Sequence, residues 1–473
     1  MKKARTVLVK CNEDTYGPIP DQAVKTLQVY PALGVMYVAA MLREDGFPVE
    51  IIDAHLDNLY GADFQKTLQE KKPDVIGFTA TTVGWPSVVA CAKLAREACP
   101  KALIVMGGPH LEVYPRESIS FPWIDMCVMG DGEETFLEIV RRFDGGESLD
   151  NILGTCAKVD GEVRLNPTRP WKRRLDDIPF PAVDLVPWDR YHVLTVKAPF
   201  FNMVTTRGCP YKCSYCSQVY AGDTIRYRSA ENVVDEIEIY AKKYGAREII
   251  MFDETFTVKK SRVLKICSLM LERKIKIGFD MRTRVDCLDE EMIEALQAAG
   301  CRRVHFGLES GSPRILQAMN KGTTVDKARE TIRLCKKHRI SVRAFFMIGY
   351  LDEDMESYEE TVRFSQELPL DWASYSITTP LPHTGLYREA MQRGYIDGDY
   401  WRDYTLLKKD RLDFPHLVTD HWDEDKLKKM QSRAYRKFYL RPAYVLQRLS
   451  SIRSWNDARD LLGGLKIMMM FNH

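Results

Sequence analysis

Cys209, Cys213 and Cys216 stand in one short run, Arg207-Gly208-Cys209-Pro210-Tyr211-Lys212-Cys213-Ser214-Tyr215-Cys216, spaced as C-x-x-x-C-x-x-C. Thiolates are the soft ligands that hold zinc and iron-sulfur centres. A structural zinc site normally takes four protein ligands, and a four-cysteine electron-transfer cluster leaves no open metal. Three sulfurs with no fourth cysteine nearby in the run would hold three corners of an iron-sulfur cube and leave the last iron open to a substrate. A zinc knuckle completed by a distant histidine is the competing reading; an expected strand directly before Cys209 weighs against it. Gly208 and Pro210 favour the tight, irregular path that turns three sulfurs inward.

The elements that must position this run can be read from the rest of the chain. Its 473 residues exceed the roughly 250 at which single cores stop growing, so two or three domains are expected. Lysine and arginine total 68 against 66 aspartates and glutamates, a formal charge of +2, which excludes a global drive toward nucleic acid. The 12 cysteines are scattered and form no disulfide framework, so a reducing cytoplasm is expected, which also suits an oxygen-sensitive cluster. After the basic start, Val7-Leu8-Val9 is too short for a signal peptide. No stretch approaches the roughly 20 apolar residues of a spanning helix, the longest being the terminal stub Ile467 to Phe471.

From Thr6 to about Phe143, short apolar runs at Val7–Val9, Val49–Ile52, Val75–Phe78, Leu103–Met106 and Ile124–Val128 alternate with amphipathic stretches. This pattern predicts an α/β, doubly wound Rossmann-like domain over 1–145, with ligands beyond the carboxyl ends of its strands. Leu33 through Asp45 reads as a helix ended by Gly46. Residues 146–197, broken by Pro167, Pro170, Pro179, Pro181 and Pro187, read as a connector. Over 198–393 six βα units fit, with strands near Asn202–Thr205, Glu248–Phe252, Ile277–Met281, Arg303–Phe306, Val342–Ile348 and Ser374–Ile377, and Asp289 capping a helix that stops at Gly300. A full eight-stranded barrel takes roughly 250 residues, so a partial (β/α)6 barrel is expected, with its chemistry at the strands' carboxyl ends. Residues 394–473 read as a helical region, basic and free of acid from Lys426 to Arg453. A solvated helical cap is the plainer reading of that stretch, and a surface for anionic lipid or an acidic partner is the other.

The cysteine run, with aromatic Tyr215 just before its last cysteine, resembles the radical S-adenosylmethionine (SAM) superfamily. The resemblance implies a 4Fe-4S cluster on Cys209, Cys213 and Cys216 whose open iron takes the amino and carboxylate groups of SAM, and a low-potential electron that splits the sulfonium to give a 5'-deoxyadenosyl radical. It also implies roles at later strand ends. Tyr215 would pack near the adenine, and Asp253 and Glu254 would receive the SAM amino group. Glu309 or Ser310 would bind ribose or carboxylate, and Gly349 would offer backbone contacts to adenine. Arg282 and Arg284 put two guanidiniums near the site for SAM or substrate carboxylates. Cys267, Cys287, Cys301 and Cys335 have no close pair and read as small core residues.

Pro31 to Leu42, Thr79-Ala80-Thr81-Thr82, Gly107-Gly108-Pro109-His110 and Gly130-Asp131-Gly132-Glu133-Glu134-Thr135-Phe136 together resemble the cobalamin-binding domain fused ahead of class B radical SAM enzymes. Thr79, Thr81, Thr82, Gly107, Gly108, Gly130, Gly132 and Glu133 are the cobalamin-binding candidates this implies; small residues let a nucleotide tail pass between loops. The cobalt-ligating D-x-H-x-x-G run is missing after the first strand, where Lys10-Cys11-Asn12-Glu13 stands. Asp53-Ala54-His55 follows the second strand and runs on to Asn58, so His55 is read as a bystander. The implied activity is cobalamin-dependent methyl transfer to an unactivated carbon. Its rival is a radical SAM cyclase or rearrangement enzyme, resembling anaerobic magnesium-protoporphyrin ester cyclase, which shares a stretch like Tyr435 to Pro442. A non-catalytic corrinoid or metal sensor is the alternative from another class. Expected partners are a small-molecule, lipid, porphyrin or peptide substrate and an electron donor such as flavodoxin or ferredoxin. The expected location is the cytoplasm, with peripheral membrane contact through the basic C-terminal segment as an option.

Overall fold

The structure is a computed structural model that describes residues 3–11, 30–193, 196–217, 224–409, 415, 417–442 and 444–446. Asn12, Glu13, Arg448, Arg453 and the stub Ile467 to Phe471 lie outside the described residues. The chain divides into two compact units, Met1–Val193 with Asp399–Asp413, and Leu194–Gly398 with Phe414–His473.

In the first unit β1 (Thr6–Lys10), β2 (Val49–Asp53), β3 (Val75–Thr79), β4 (Leu103–Gly107) and β5 (Met126–Val128) run parallel. The central strands are apolar almost throughout because the crossover helices Leu33–Glu44, Gly61–Lys71, Trp85–Ala98 and Gly132–Gly145 bury a sheet on both faces. The helix Leu33–Glu44 stops at Asp45, and Gly46 takes φ +78° to close it. Residues 146–197 hold more order than a connector: β6 (Thr155–Val159) and β7 (Glu162–Leu165) form an antiparallel hairpin that extends the sheet to the order β2-β1-β3-β4-β5-β6-β7. Every proline in that stretch falls after the hairpin, among single turns of 3-10 helix.

The second unit contains β8 (Phe200–Met203), the small antiparallel pair β9 (Thr206–Arg207) and β10 (Arg226–Tyr227), and then β11 (Glu248–Met251), β12 (Gly278–Thr283), β13 (Cys301–Glu309), β14 (Ser341–Ile348) and β15 (Trp372–Ile377). β8 and β11 to β15 form one parallel sheet of six strands in chain order. Among the described residues no pairing joins β15 to β8, so the barrel is partial and open. Asp289 caps the helix Glu290–Ala298, its Oδ1 accepting the Met292 N–H at 2.9 Å.

An open barrel leaves a strand edge with unpaired backbone groups. The helix Glu424–Tyr439 covers it with side chains. The Tyr439 hydroxyl donates to the Ala373 carbonyl at 2.7 Å and accepts the Ala373 N–H at 3.2 Å. The Tyr435 hydroxyl accepts the Tyr375 N–H at 3.2 Å, and Gln431 Nε2 donates to the Tyr375 carbonyl at 2.8 Å. Several cations of this helix are paired within the fold: Lys428 with Glu424, and Arg433 and Lys437 both with Glu359. No helix among the described residues is long and apolar enough to cross a membrane.

Candidate active site and cofactor cradles

The cysteine loop leaves the end of β8 through Thr205 and Thr206. Asp253, just past β11 and fully buried, fixes that exit: its Oδ1 accepts the Thr205 N–H at 3.0 Å and the Thr205 and Thr206 hydroxyls at 2.8 and 2.6 Å. Asp253 Oδ2 is buried with no hydrogen-bond partner. Farther along, the Ser214 N–H donates to the Met319 carbonyl at 3.0 Å, and Asn320 Nδ2 donates to the Lys212 carbonyl at 2.8 Å. The Ser214 hydroxyl meets the Tyr350 hydroxyl at 2.6 Å, so the loop is tied to chain that follows β11, β13 and β14.

The three sulfurs sense one another. Enclosure by protein, then the negative charges of Cys213 and Cys209, push the Cys216 thiol up to about 11, although part of its surface is open to solvent. Three neighbouring thiolates repel unless a multivalent cation lies among them, which is what an iron cluster or metal supplies. Two polar side chains already face the sulfurs, and of these Arg284 is the donor, since the Thr255 hydroxyl gives its proton to the Glu254 carbonyl at 2.8 Å. Thr255 Oγ1 lies 3.4 Å from Cys209 Sγ, and Arg284 Nη1 donates to Cys213 Sγ at 3.6 Å.

Beside this cradle Tyr215, Glu309 and Lys321 form a closed polar triangle. The Tyr215 hydroxyl donates to Glu309 Oε1 at 3.1 Å, while Lys321 Nζ donates to both, at 2.9 and 3.1 Å. Burial, reinforced by the Glu309 charge, holds the Tyr215 phenol protonated far above its ordinary range. Glu309 takes φ +67°, a left-handed conformation that costs a non-glycine residue energy and persists only where its surroundings impose it. Its carboxylate folds over Gly307, where an added Cβ would stand 2.2 Å from Oε1.

The other candidates of this unit are placed unequally. Glu254 is exposed at the β11 end, and the Arg282 guanidinium lies 4.1 Å from the centre of the Phe252 ring. Ser310 is turned into the protein, meeting the Thr361 hydroxyl at 2.9 Å and accepting the Ser312 N–H at 3.1 Å. The Gly349 N–H donates to Oε2 of buried Glu353. Lys321 and Cys287 were not anticipated here. Cys267, Cys301 and Cys335 do lie in the core, but Cys287 is half-buried with its Sγ 2.8 Å from the Tyr211 hydroxyl. Its place just past β12, three residues after Arg284, was the available signal.

In the first unit Thr79 to Thr82, Gly107-Gly108 and Gly130 to Gly132 follow the adjacent strands β3, β4 and β5 and therefore stand in a row. Gly108 has φ +101°, and a Cβ there would lie 2.6 Å from the Ala80 carbonyl oxygen, so only glycine lets these loops approach. Thr81 Oγ1 accepts the Gly84 N–H at 3.1 Å, and the Gly130 N–H donates to Glu112. Glu133 is buried on the helix Gly132–Gly145. His110 is fully buried and stacks on Trp85 with ring centres 4.4 Å apart. Its Nδ1 lies 3.4 Å from the Thr82 hydroxyl and its Nε2 3.3 Å from the Thr405 hydroxyl, and burial pushes its pKa down to about 3. A ring engaged at both nitrogens is a neutral strut. Asp53 is held by the Tyr191 hydroxyl at 2.8 Å and Lys10 at 3.2 Å, while His55 is half-exposed.

Comparison with known proteins accords with both units. The radical SAM superfamily model matches residues 203–365, and the B12 binding domain model matches residues 22–140. An uncharacterised methyltransferase of Pyrococcus horikoshii is 34% identical over 439 residues, covering 92% of this chain and 94% of its own. The anaerobic magnesium-protoporphyrin IX monomethyl ester cyclase of Rubrivivax gelatinosus is 29% identical over 424 residues, covering 88% and 75%. The solved structure of the radical SAM methyltransferase TsrM from Kitasatospora setae, with cobalamin and a 4Fe-4S cluster bound, shares the fold at a TM-score of 0.72 and 20% identity, covering 93% and 90%. The chain belongs to the radical SAM superfamily, in the branch whose members carry a B12-binding domain ahead of the radical SAM domain.

Proposed function

We propose that this chain is a methyltransferase that uses a 4Fe-4S cluster, SAM and cobalamin to methylate an unactivated carbon. The observation that carries the reading is that one chain holds both an incomplete, three-thiol cradle and a row of adjacent glycine- and threonine-bearing strand ends on a B12-binding fold, along nearly the whole length of a relative named as a methyltransferase. When bound, the cluster supplies the electron that cleaves SAM, and cobalamin carries the methyl group.

Cys209, Cys213 and Cys216 would hold the cluster, and their mutual repulsion fits a cationic occupant. Glu254 at the mouth and Asp253 behind it would receive the SAM ammonium, Arg282 its carboxylate, and Tyr215 with Glu309 the nucleoside. Thr79, Thr81, Thr82, Gly107, Gly108, Gly130 and Gly132 would line the cobalamin tail, with Glu133 bracing their helix from beneath. The reading includes a small redox protein of flavodoxin or ferredoxin type as electron donor and a cytoplasmic setting. Peripheral membrane contact has less support, because Lys428, Arg433 and Lys437 are already paired.

The test is anaerobic reconstitution with iron, sulfide and hydroxocobalamin, then turnover with methyl-deuterated SAM, dithionite and a metabolite extract. Expected are 5'-deoxyadenosine, S-adenosylhomocysteine and a product carrying the labelled methyl group. 5'-Deoxyadenosine together with a product that gains no label would reject methyl transfer and favour ring closure or rearrangement.

A further inference from the structure

We propose that Arg284 and Lys321 form a cationic collar that sets the reduction potential of the cluster held by Cys209, Cys213 and Cys216. The inference rests on membership of the radical SAM superfamily, not on methyl transfer, and it holds for either product.

Both residues are long cations enclosed by protein, each only 6% exposed. Burial of such groups is costly unless every one of them is directed at a partner. Arg284 follows β12, and each nitrogen of its guanidinium has a partner. Nε and Nη2 engage Asp286 at 3.0 and 2.9 Å, Nη2 also donates to the Lys321 carbonyl, and the plane lies 3.7 Å from the centre of the Tyr211 ring. The remaining nitrogen, Nη1, donates to Cys213 Sγ at 3.6 Å. A rigid fork clamped on three sides thus aims its last donor at a sulfur that would ligate iron. Lys321 reaches the cradle through Tyr215, the residue directly before Cys216, with Nζ 2.9 Å from its hydroxyl.

Cluster reduction takes one electron from a low-potential donor, forms and breaks no bond, and adds one negative charge to the iron-sulfur core. Hydrogen bonds to the sulfurs and nearby positive charge favour the more negative state and raise the potential. Asp286 offsets part of the Arg284 charge and Glu309 part of the Lys321 charge, so the directed N–H···S bond of Arg284 is the larger contribution. The collar makes the first electron transfer easier for a donor of given potential while leaving the open iron untouched.

The experiment is an EPR-monitored redox titration of the reconstituted full chain, with iron and sulfide analysis beside it, for the wild type, Arg284→Met, Arg284→Lys and Lys321→Met. Arg284→Met is expected to weaken reduction about tenfold, a fall of about 59 mV for a one-electron couple. Arg284→Lys keeps a donor and should fall by less, and Lys321→Met should also fall. Fully loaded variants whose reduction equilibria stay within a factor of about two of the wild type would overturn the proposal. If Arg284→Met does not hold its iron, the decision passes to the other two: a lowered potential in either sustains the collar, and unchanged potentials overturn it. Loss of the cluster from all three at an unchanged unfolding temperature would also overturn it, because the pair would then serve assembly alone.

Discussion

Glu353 is enclosed behind β14, where Oε2 accepts the Gly349 N–H, Oε1 has no hydrogen-bond partner, and burial pushes the carboxyl up to about 8. A carboxyl raised above its unfolded value of 4.5 contributes stability that is complete below 4.5 and is lost as pH rises through about 8. The slope is roughly 1.4 kcal/mol per pH unit inside that window. Glu353→Gln keeps the acceptor for Gly349 and cannot ionise, so its unfolding temperature should overtake that of the wild type as pH rises from about 5 to 8. Parallel curves for the two proteins would mean that the carboxyl is ionised and compensated throughout. At this scale the thiols were legible because metal ligation dictates residue type and spacing together. Lys321 was not legible, since it stands 106 residues from Tyr215 and only the fold of β13 and its following loop brings the two within bonding distance. His110 was visible in its glycine-rich motif, yet its role depends on Thr405, 295 residues away.

The element that decides whether the open barrel can exist in water is the helix Glu424–Tyr439, because it supplies hydroxyls and an amide to the bare edge of β15. Replacing both Tyr435 and Tyr439 by Phe keeps the rings, including the edge-on contact of Tyr435 with Tyr375, and removes only the hydroxyls. Each buried backbone group left unpaired costs about 1–3 kcal/mol. The double variant should therefore unfold at lower temperature and self-associate with concentration through the exposed edge, read by calorimetry and light scattering. A monomer of unchanged stability would show that the edge finds other partners. Strands buried on both faces, and helices capped like the one after Asp289, were legible because local pattern and burial agree there. The hairpin β6–β7 was not: Glu162-Val163-Arg164-Leu165 alternates for only four residues and is exposed along its whole length, so burial never follows the alternation and its pairing with β6 is what defines it. The aromatic stretch from Tyr435 to Tyr439 was visible, but its use as backbone partners depends on which edge the barrel leaves open.

The chain lays down all the strands of its second unit, returns to the first at Asp399–Asp413, and then goes back to the second for the helix Glu424–Tyr439. In the returning segment Trp401, Tyr404 and Thr405 are fully buried. Trp85 Nε1 donates to the Thr405 carbonyl at 2.9 Å, the Tyr404 hydroxyl donates to the Val83 carbonyl at 2.9 Å, and Tyr114 donates to Asp399 at 2.7 Å. Local pattern cannot tell which unit a short helix will pack on, and residues from 394 onward therefore read as one terminal block. The consequence is that the B12-binding fold, though its family model ends at residue 140, is finished by residues 399–409. These contacts lie on the loop after β3 and the turns after β4, the same strand ends that carry Thr82 and His110. Trp401→Ala removes a fully buried ring and should cost about 3–5 kcal/mol. That loss falls on the first unit, so the purified variant should retain less cobalamin by absorbance while its iron content and the EPR signal of its reduced cluster stay at wild-type levels. Iron lost in step with cobalamin would contradict the assignment of this segment to the first unit. Full retention of both at an unchanged unfolding temperature would contradict its burial.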